Sequence, residues 1–245
     1  MQNYCKTIGA LAAASALVAG NAQAEVEYEL HTGYSSEYLF RGVDLGQDLV
    51  EVGVDAAYEW NGLTVSGGVW ATAFNNAPFA SSDQQIYSET DLYAEVSKDF
   101  GFLTASVGYI YYWNAGALGI DDQEVYFGIS HDFGFATASL TYYWDVINNS
   151  SPIGGNNGYT ELGLSRAFEL NQCLTLNVGA NVGYLIESND FTALTTKVSL
   201  DWGFAGTAKL SPFVAVSIGL GEAEGTIWQS TENEITAGSM LSVSF

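Results

Sequence analysis

The sequence predicts an all-β chain: a transmembrane, up-and-down antiparallel β-barrel of about twelve strands, of the outer-membrane type. Segment after segment alternates apolar and polar side chains with period two, as strands with one oily face do. Short turns near residues 61, 100, 133, 170 and 204 alternate with longer connections near 45, 80, 118, 152, 189 and 228. Aromatic residues gather at the strand ends, and the chain stops on one of them, Phe245.

The clearest unit is the hairpin from Tyr87 to Trp113. Its first arm sets Leu92, Ala94 and Val96 against Glu89, Asp91, Tyr93, Glu95 and Ser97. Asp99-Phe100-Gly101 makes the turn, and the second arm sets Leu103, Ala105, Val107, Tyr109, Tyr111 and Trp113 against Thr104, Ser106 and Gly108. Asp132-Phe133-Gly134-Phe135 repeats this turn, with Glu59-Trp60-Asn61-Gly62 and Asp201-Trp202-Gly203-Phe204 as variants. Repeated hairpins suit solenoids and propellers as well as barrels. The alternation of short and long connections favours the barrel.

The other elements come in order. Strand one, about Val26 to Phe40, puts Val26, Tyr28, Leu30, Thr32, Tyr34, Tyr38 and Phe40 on one face. Glu27, Glu29, His31, Gly33, Ser35, Glu37 and Arg41 take the other. Strand two, about Leu49 to Trp60, opposes Val50, Val52, Val54, Ala56, Tyr58 and Trp60 to Glu51, Gly53, Asp55, Ala57 and Glu59. Asn61-Gly62 is a strong hairpin signal, since both residues tolerate positive φ. Strand three runs to about Phe74. Strands six to ten repeat the pattern, with Val125, Phe127 and Ile129, then Leu140, Tyr142 and Trp144, then Leu176, Val178 and Val182 on oily faces. On strand eleven Pro212 cannot donate a ladder hydrogen bond, so a bulge or strand end is expected there. Strand twelve alternates Ser239, Leu241, Val243 and Phe245 with Met240, Ser242 and Ser244. An aromatic final strand resembles the C-terminal insertion signal of outer-membrane barrels, which implies the barrel-insertion machinery as a partner.

Residues 1–24 read as a signal peptide. Lys6 is the positive start, Ile8 to Val18 the apolar stretch, and Ala22-Gln23-Ala24 the small-residue cleavage box, with the cut between Ala24 and Glu25. The barrel is then a single unit, 25–245. The formal charge is −22 over the full chain, and losing Lys6 makes it −23. Cys5 leaves with the leader, so Cys173 is expected to stand alone. With 14% aromatics and three prolines the chain is β-sheet material and not an acidic disordered protein.

The polar faces are rich in acids, hydroxyls and glycine, which make a poor dry core and a good wet wall. The oily faces are therefore expected to point outward, to outer-membrane lipid. Two girdles flank them. Tyr58, Trp60, Phe100, Phe102, Phe133, Phe135, Phe168, Trp202, Phe204 and Phe245 form the turn-side girdle. Tyr38, Phe40, Tyr111, Trp113, Tyr142, Trp144 and Tyr184 form the loop-side one. Lys98 and Arg166 fall on the oily face near the turns, where long side chains can snorkel.

The stretch Gly33-Tyr34-Ser35-Ser36-Glu37-Tyr38-Leu39-Phe40-Arg41-Gly42-Val43 resembles the opening signature of the TorF-type porin family of proteobacteria, and Gly67-Gly68-Val69-Trp70-Ala71 is similar to it too. The resemblance implies an outer-membrane barrel with a pore role; it brings no substrate and no functional residues.

The lumen wall is expected to carry Glu27, Glu29, His31, Glu37, Arg41, Glu51, Asp55, Glu59, Glu89, Asp91, Glu95, Glu124, Glu161, Lys197 and Asp201, with Lys209 nearby. Arg41 is expected at the loop-side mouth, either paired with Glu37 and Glu51 or as a rim charge that pairs with nothing. An acidic lumen favours cations, so the reading is a porin-like channel for passive diffusion of small cationic or neutral solutes. A closed structural or adhesion barrel acting through its surface loops is the rival. An outer-membrane hydrolase would need a Ser or Thr with an oriented His. Of the two histidines, His31 faces the lumen near Glu59, and His131 sits at a turn on the oily side. No cofactor, metal site or nucleic-acid partner is indicated.

Overall fold

A computed structural model describes residues 26–77, 86–115, 121–146, 158–221 and 232–245. Twelve strands run in order: β1 (Glu27–Phe40), β2 (Val43–Trp60), β3 (Leu63–Asn75), β4 (Ile86–Asp99), β5 (Thr104–Ala115), β6 (Asp122–Asp132), β7 (Thr137–Asp145), β8 (Tyr159–Asn171), β9 (Leu174–Leu185), β10 (Asp190–Gly203), β11 (Ala208–Gly219) and β12 (Glu234–Ser244). Each pairs antiparallel with its sequence neighbours, and β1 pairs with β12 to close the barrel. Closure removes the edge strands that an open sheet would leave unpaired. The leader, its cut between Ala24 and Glu25, and most of the connections near 80, 118, 152 and 228 lie outside the described residues.

The oily stripes do face outward. Val52, Leu92, Val107, Phe127, Leu162 and Val214 are all exposed, and the aromatics of the turn-side girdle rank among the most exposed, with Phe102 at 67% and Phe135 at 73%. The turn-side connections span two to four residues. Asn61 and Gly62 have φ of 52° and 75°, the paired positive values a two-residue hairpin turn needs. The two Asp-Phe-Gly-Phe turns share one geometry. Asp99 Oδ1 accepts from the Gly101 amide at 2.6 Å, and Asp132 Oδ1 from the Gly134 amide at 2.7 Å. Lys98 lies 5.3 Å from the Phe100 ring, and Arg166 reaches back to the Gly134 carbonyl; both stretch toward the turn end.

Several expectations are corrected. The connection near 45 is not long: β1 and β2 join through Arg41-Gly42 alone, with φ of 48° and 88°. The connection near 189 is also short, since β9 ends at Leu185 and β10 starts at Asp190. Pro212 neither bulges nor ends its strand. Pairing to β10 lapses between Phe213 and Leu210 and resumes in the same register, while Pro212 stays opposite Ser239 on β12.

The largest departure is the tip of the first hairpin. The β1–β12 ladder stops at Ser35–Gly238, and the β2–β3 ladder stops at Gln47–Asn75. Above those points the two strands pair only with each other, and the ladder slips at Glu37/Leu39. The extra residue is on β2, where the three steps from Gln47 to Asp44 answer two on β1, and such a bulge bends the hairpin. Tyr38 and Phe40 therefore leave the lipid-facing girdle and turn into the barrel. Tyr38, Val43, Leu45 and Leu49 form an apolar cluster with Phe74, Tyr87, Tyr159 and Leu185, and Phe40 packs against it.

The outer topology is checkable with single cysteines in a Cys173→Ser background. Asn76 and Asn189 on the loop side are expected to react with an impermeant maleimide on intact cells, and Asn61 to stay unmodified. Labelling at Asn61 alone would invert the orientation.

Candidate functional site: the lumen and its docked hairpin

Strand parity puts the fifteen wall residues named above on the inward face, Arg41 reaching it from the turn that tips the hairpin inward. Three cations, Arg41, Lys197 and Lys209, share that face with twelve acids. Lys209 Nζ lies 3.9 Å from Asp201 Oδ2, and Lys197 Nζ sits 4.2 Å from the centre of the Phe213 ring. His31 is not near Glu59. Its register partner is Gly53, and its Nε2 lies 3.2 Å from Asp55 Oδ2. Glu59 instead accepts from Thr64 Oγ1, lower on the wall.

Aromatic residues pair with these acids. Tyr126 OH donates to Glu95 Oε2 at 3.0 Å, Trp70 Nε1 to Glu51 Oε2 at 2.5 Å, and Tyr93 to Asp55. Large wall side chains lie flat where the neighbouring strand has glycine. The Tyr126 ring covers Gly108, and the His31 imidazole covers Gly53, so a Cβ at either position would strike the ring. The pairing of ring over glycine keeps bulk against the wall and out of the bore.

At the loop-side mouth the hairpin tip spans the bore. Arg41 does not pair with Glu37 or Glu51. Its Nη1 and Nη2 donate to Glu124 Oε1 and Oε2 at 2.8 and 2.7 Å, on β6, across the barrel from β1. Both side chains are buried, at 7% and 1% exposure. Tyr112 OH on β5 donates to the same Oε2 at 2.8 Å. The guanidinium carbon stands 4.4 Å from the Tyr143 ring centre on β7, 4.5 Å from Tyr159 on β8 and 4.9 Å from Phe40. On the other flank, Ser217 Oγ of β11 donates to the Gly42 carbonyl at 2.9 Å. A Cβ on Gly42 would collide with Ala193, which the β10 register shift at Phe191/Leu194 turns inward beside Thr192. Tyr38 OH donates to Glu89 Oε1 at 2.9 Å, and its ring lies 5.1 Å from Phe74 and 5.7 Å from Trp70.

Parity had marked Arg41 and Glu124 as inward but said nothing of their meeting, since a face is a local property and a partner across the bore is not. Asp122 and Asp145, both buried at this mouth, were missed as wall residues: Asp122 stands in an expected connection, and Asp145 on the polar face of the expected seventh strand, where only the oily face was followed. His131 faces outward, edge-on to Phe133 at 4.4 Å. His31 Nδ1 has no hydrogen-bond partner. Among the described residues, no group of acids, histidines and cysteines is arranged to hold a metal ion.

A family described as "Bacterial protein of unknown function (Gcw_chp)" matches residues 19–237. The chain belongs to this family. No curated protein matches it. Among solved structures, this Gcw_chp chain resembles the COG4313 outer membrane channel from Pseudomonas putida F1, with a TM-score of 0.56 and 10% identity over 93% of this chain and 97% of that one. It also resembles the KdgM porin, with a TM-score of 0.53 and 10% identity over 89% and 99%. The NanC porin aligns with a TM-score of 0.52 and 10% identity over 88% and 98%. At such identity the shared property is the fold alone, which in this chain is a closed barrel of twelve strands.

Proposed function

We propose that this chain is an outer-membrane channel for passive diffusion of small solutes, with a preference for cations. The observation that carries the reading is the contrast between the two faces of one closed sheet. Outside, aliphatic stripes run between aromatic ends, as lipid requires. Inside, carboxylates outnumber Arg41, Lys197 and Lys209, and a low-dielectric wall focuses their field along the water path. The resemblance to TorF-type porins at Tyr38 to Gly42 and the porin-like fold support the same reading. In this reading residues 1–24 are removed on export, Phe245 is read by the barrel-insertion machinery, and the barrel lies in outer-membrane lipid.

The docked hairpin favours a second reading, a barrel closed at the loop side that acts through its surface loops. A planar bilayer separates them. Under a potassium chloride gradient at neutral pH, the purified protein is expected to give a reversal potential of cation sign, weaker at high salt as screening grows. Anion sign would overturn the selectivity. No conductance from folded protein, even after the hairpin is released by replacing Arg41 or Glu124, would favour the closed barrel.

A further inference from the structure

Arg41 sits inside its own protein as a cationic ligand sits in a binding site. Its guanidinium is clamped by both oxygens of a buried carboxylate and flanked by ring faces, the chemistry that recognises organic cations. The walls of that cage are Glu124, Tyr112, Tyr143 and Tyr159, carried on four consecutive strands, β5 to β8. Those strands pair with one another throughout. The ligand-like group, by contrast, arrives on a hairpin tip that pairs only with itself. Removing Arg41 therefore takes away the occupant and leaves the cage standing.

We propose that the Glu124 cage is a binding site for small solutes bearing a guanidinium or primary ammonium group, and that such a solute binds by displacing Arg41 and with it the hairpin tip. This deepens the channel reading and rests on it for the consequence, since a displaced tip clears the loop-side mouth. The lower lumen offers similar chemistry, with Tyr126 beside Glu95 and Trp70 beside Glu51. A solute released from the cage meets further pairs of ring and carboxylate deeper in the bore.

Competition sets the expected affinities. A ligand that needs a minor, undocked state binds more weakly by the fraction of that state. Minor states populated at roughly 0.1–10% imply about ten- to a thousand-fold tighter binding once Arg41 is gone.

The test is calorimetric titration of n-butylguanidinium into the folded full-length barrel in detergent, with urea as the uncharged planar control. Arg41→Ala is expected to bind n-butylguanidinium and not urea, the unsubstituted protein to bind it more weakly by that factor, and Arg41→Ala with Glu124→Gln not to bind. Arg41→Lys, which keeps a cation on the tip, guards against loss of fold and should bind more weakly than Arg41→Ala. No binding to folded Arg41→Ala, or equal binding when Glu124 is replaced, overturns the proposal. Bilayer recordings separate it from the channel reading. If Arg41→Ala conducts but n-butylguanidinium neither blocks it nor raises the conductance of the unsubstituted protein, the cage fails and the channel stands. If binding is as expected but no variant conducts, the channel fails and the cage stands.

Discussion

Glu124→Leu is expected to release the first hairpin and open the Arg41–Gly42 bond to trypsin, where the unsubstituted protein resists. Both members of the Arg41–Glu124 pair are buried. Taking away one partner strands the other charge in a dry site, at about 3–5 kcal/mol. The protein has two ways to avoid that cost. It can unfold β6, which is paired along both edges, or undock a tip that pairs only with itself. A lone two-stranded hairpin is marginal in water, so undocking is the cheaper route. The open-to-docked ratio should rise by roughly two to four orders of magnitude. With six Lys and Arg in the whole chain, a new cut at Arg41 is easily assigned by mass. Arg41→Met combined with Glu124→Leu strands no charge and should stay docked, read with chymotrypsin at Tyr38 and Phe40. If Glu124→Leu resists trypsin as well as the unsubstituted protein does, the pair does not hold the tip.

The barrel was legible in the sequence because its two solvents leave a signature on every strand. Lipid demands an apolar side chain at each second position, and a one-residue error would turn Val52 or Val107 inward and Glu51 or Ser106 outward. Turn chemistry was equally plain, since Asn61-Gly62 and the two Asp-Phe-Gly turns require positive φ that few residue pairs tolerate. The hairpin tip was not legible for a physical reason. Period-two reading assumes a strand that stays in the wall, whereas the extra residue on β2 between Asp44 and Gln47 bends the tip and carries Tyr38 and Phe40 into the barrel. Nor does residue type help, because an aromatic ring is as much at home in a packed plug as in a lipid girdle. A signal was present in the positive-φ pair Arg41-Gly42 followed by Val43 and Leu45, a tight turn where a surface loop had been expected. The candidate site was thus half readable. The inward acids follow from parity, whereas the Arg41–Glu124 contact joins residues 83 apart along the chain, and only the closed ring of strands brings them together.

Val107→Arg is expected to destabilise the barrel by about 2–4 kcal/mol, the usual cost of a charge on the lipid face near the bilayer midplane. Val107 is exposed on the outer face, and its register neighbours are Val96 on β4 and Phe127 on β6, so nothing polar lies beside it. Unlike Arg166, which reaches the Gly134 carbonyl at the turn end, an arginine at this height has no carbonyl or headgroup within easy reach. Val52→Arg, between Thr32 and Ala71, should behave alike. One residue away the outcome reverses. Ser106 faces the lumen opposite Ser97 and Gly128, where an added guanidinium meets water and the field of the wall acids. Ser106→Arg is therefore expected to leave stability nearly unchanged and to lower cation preference. Urea unfolding in lipid vesicles measures the first effect, and reversal potential the second. Equal midpoints for Val107→Arg and Ser106→Arg would mean that the oily face does not meet lipid, and would remove the physical basis for placing this barrel in a membrane.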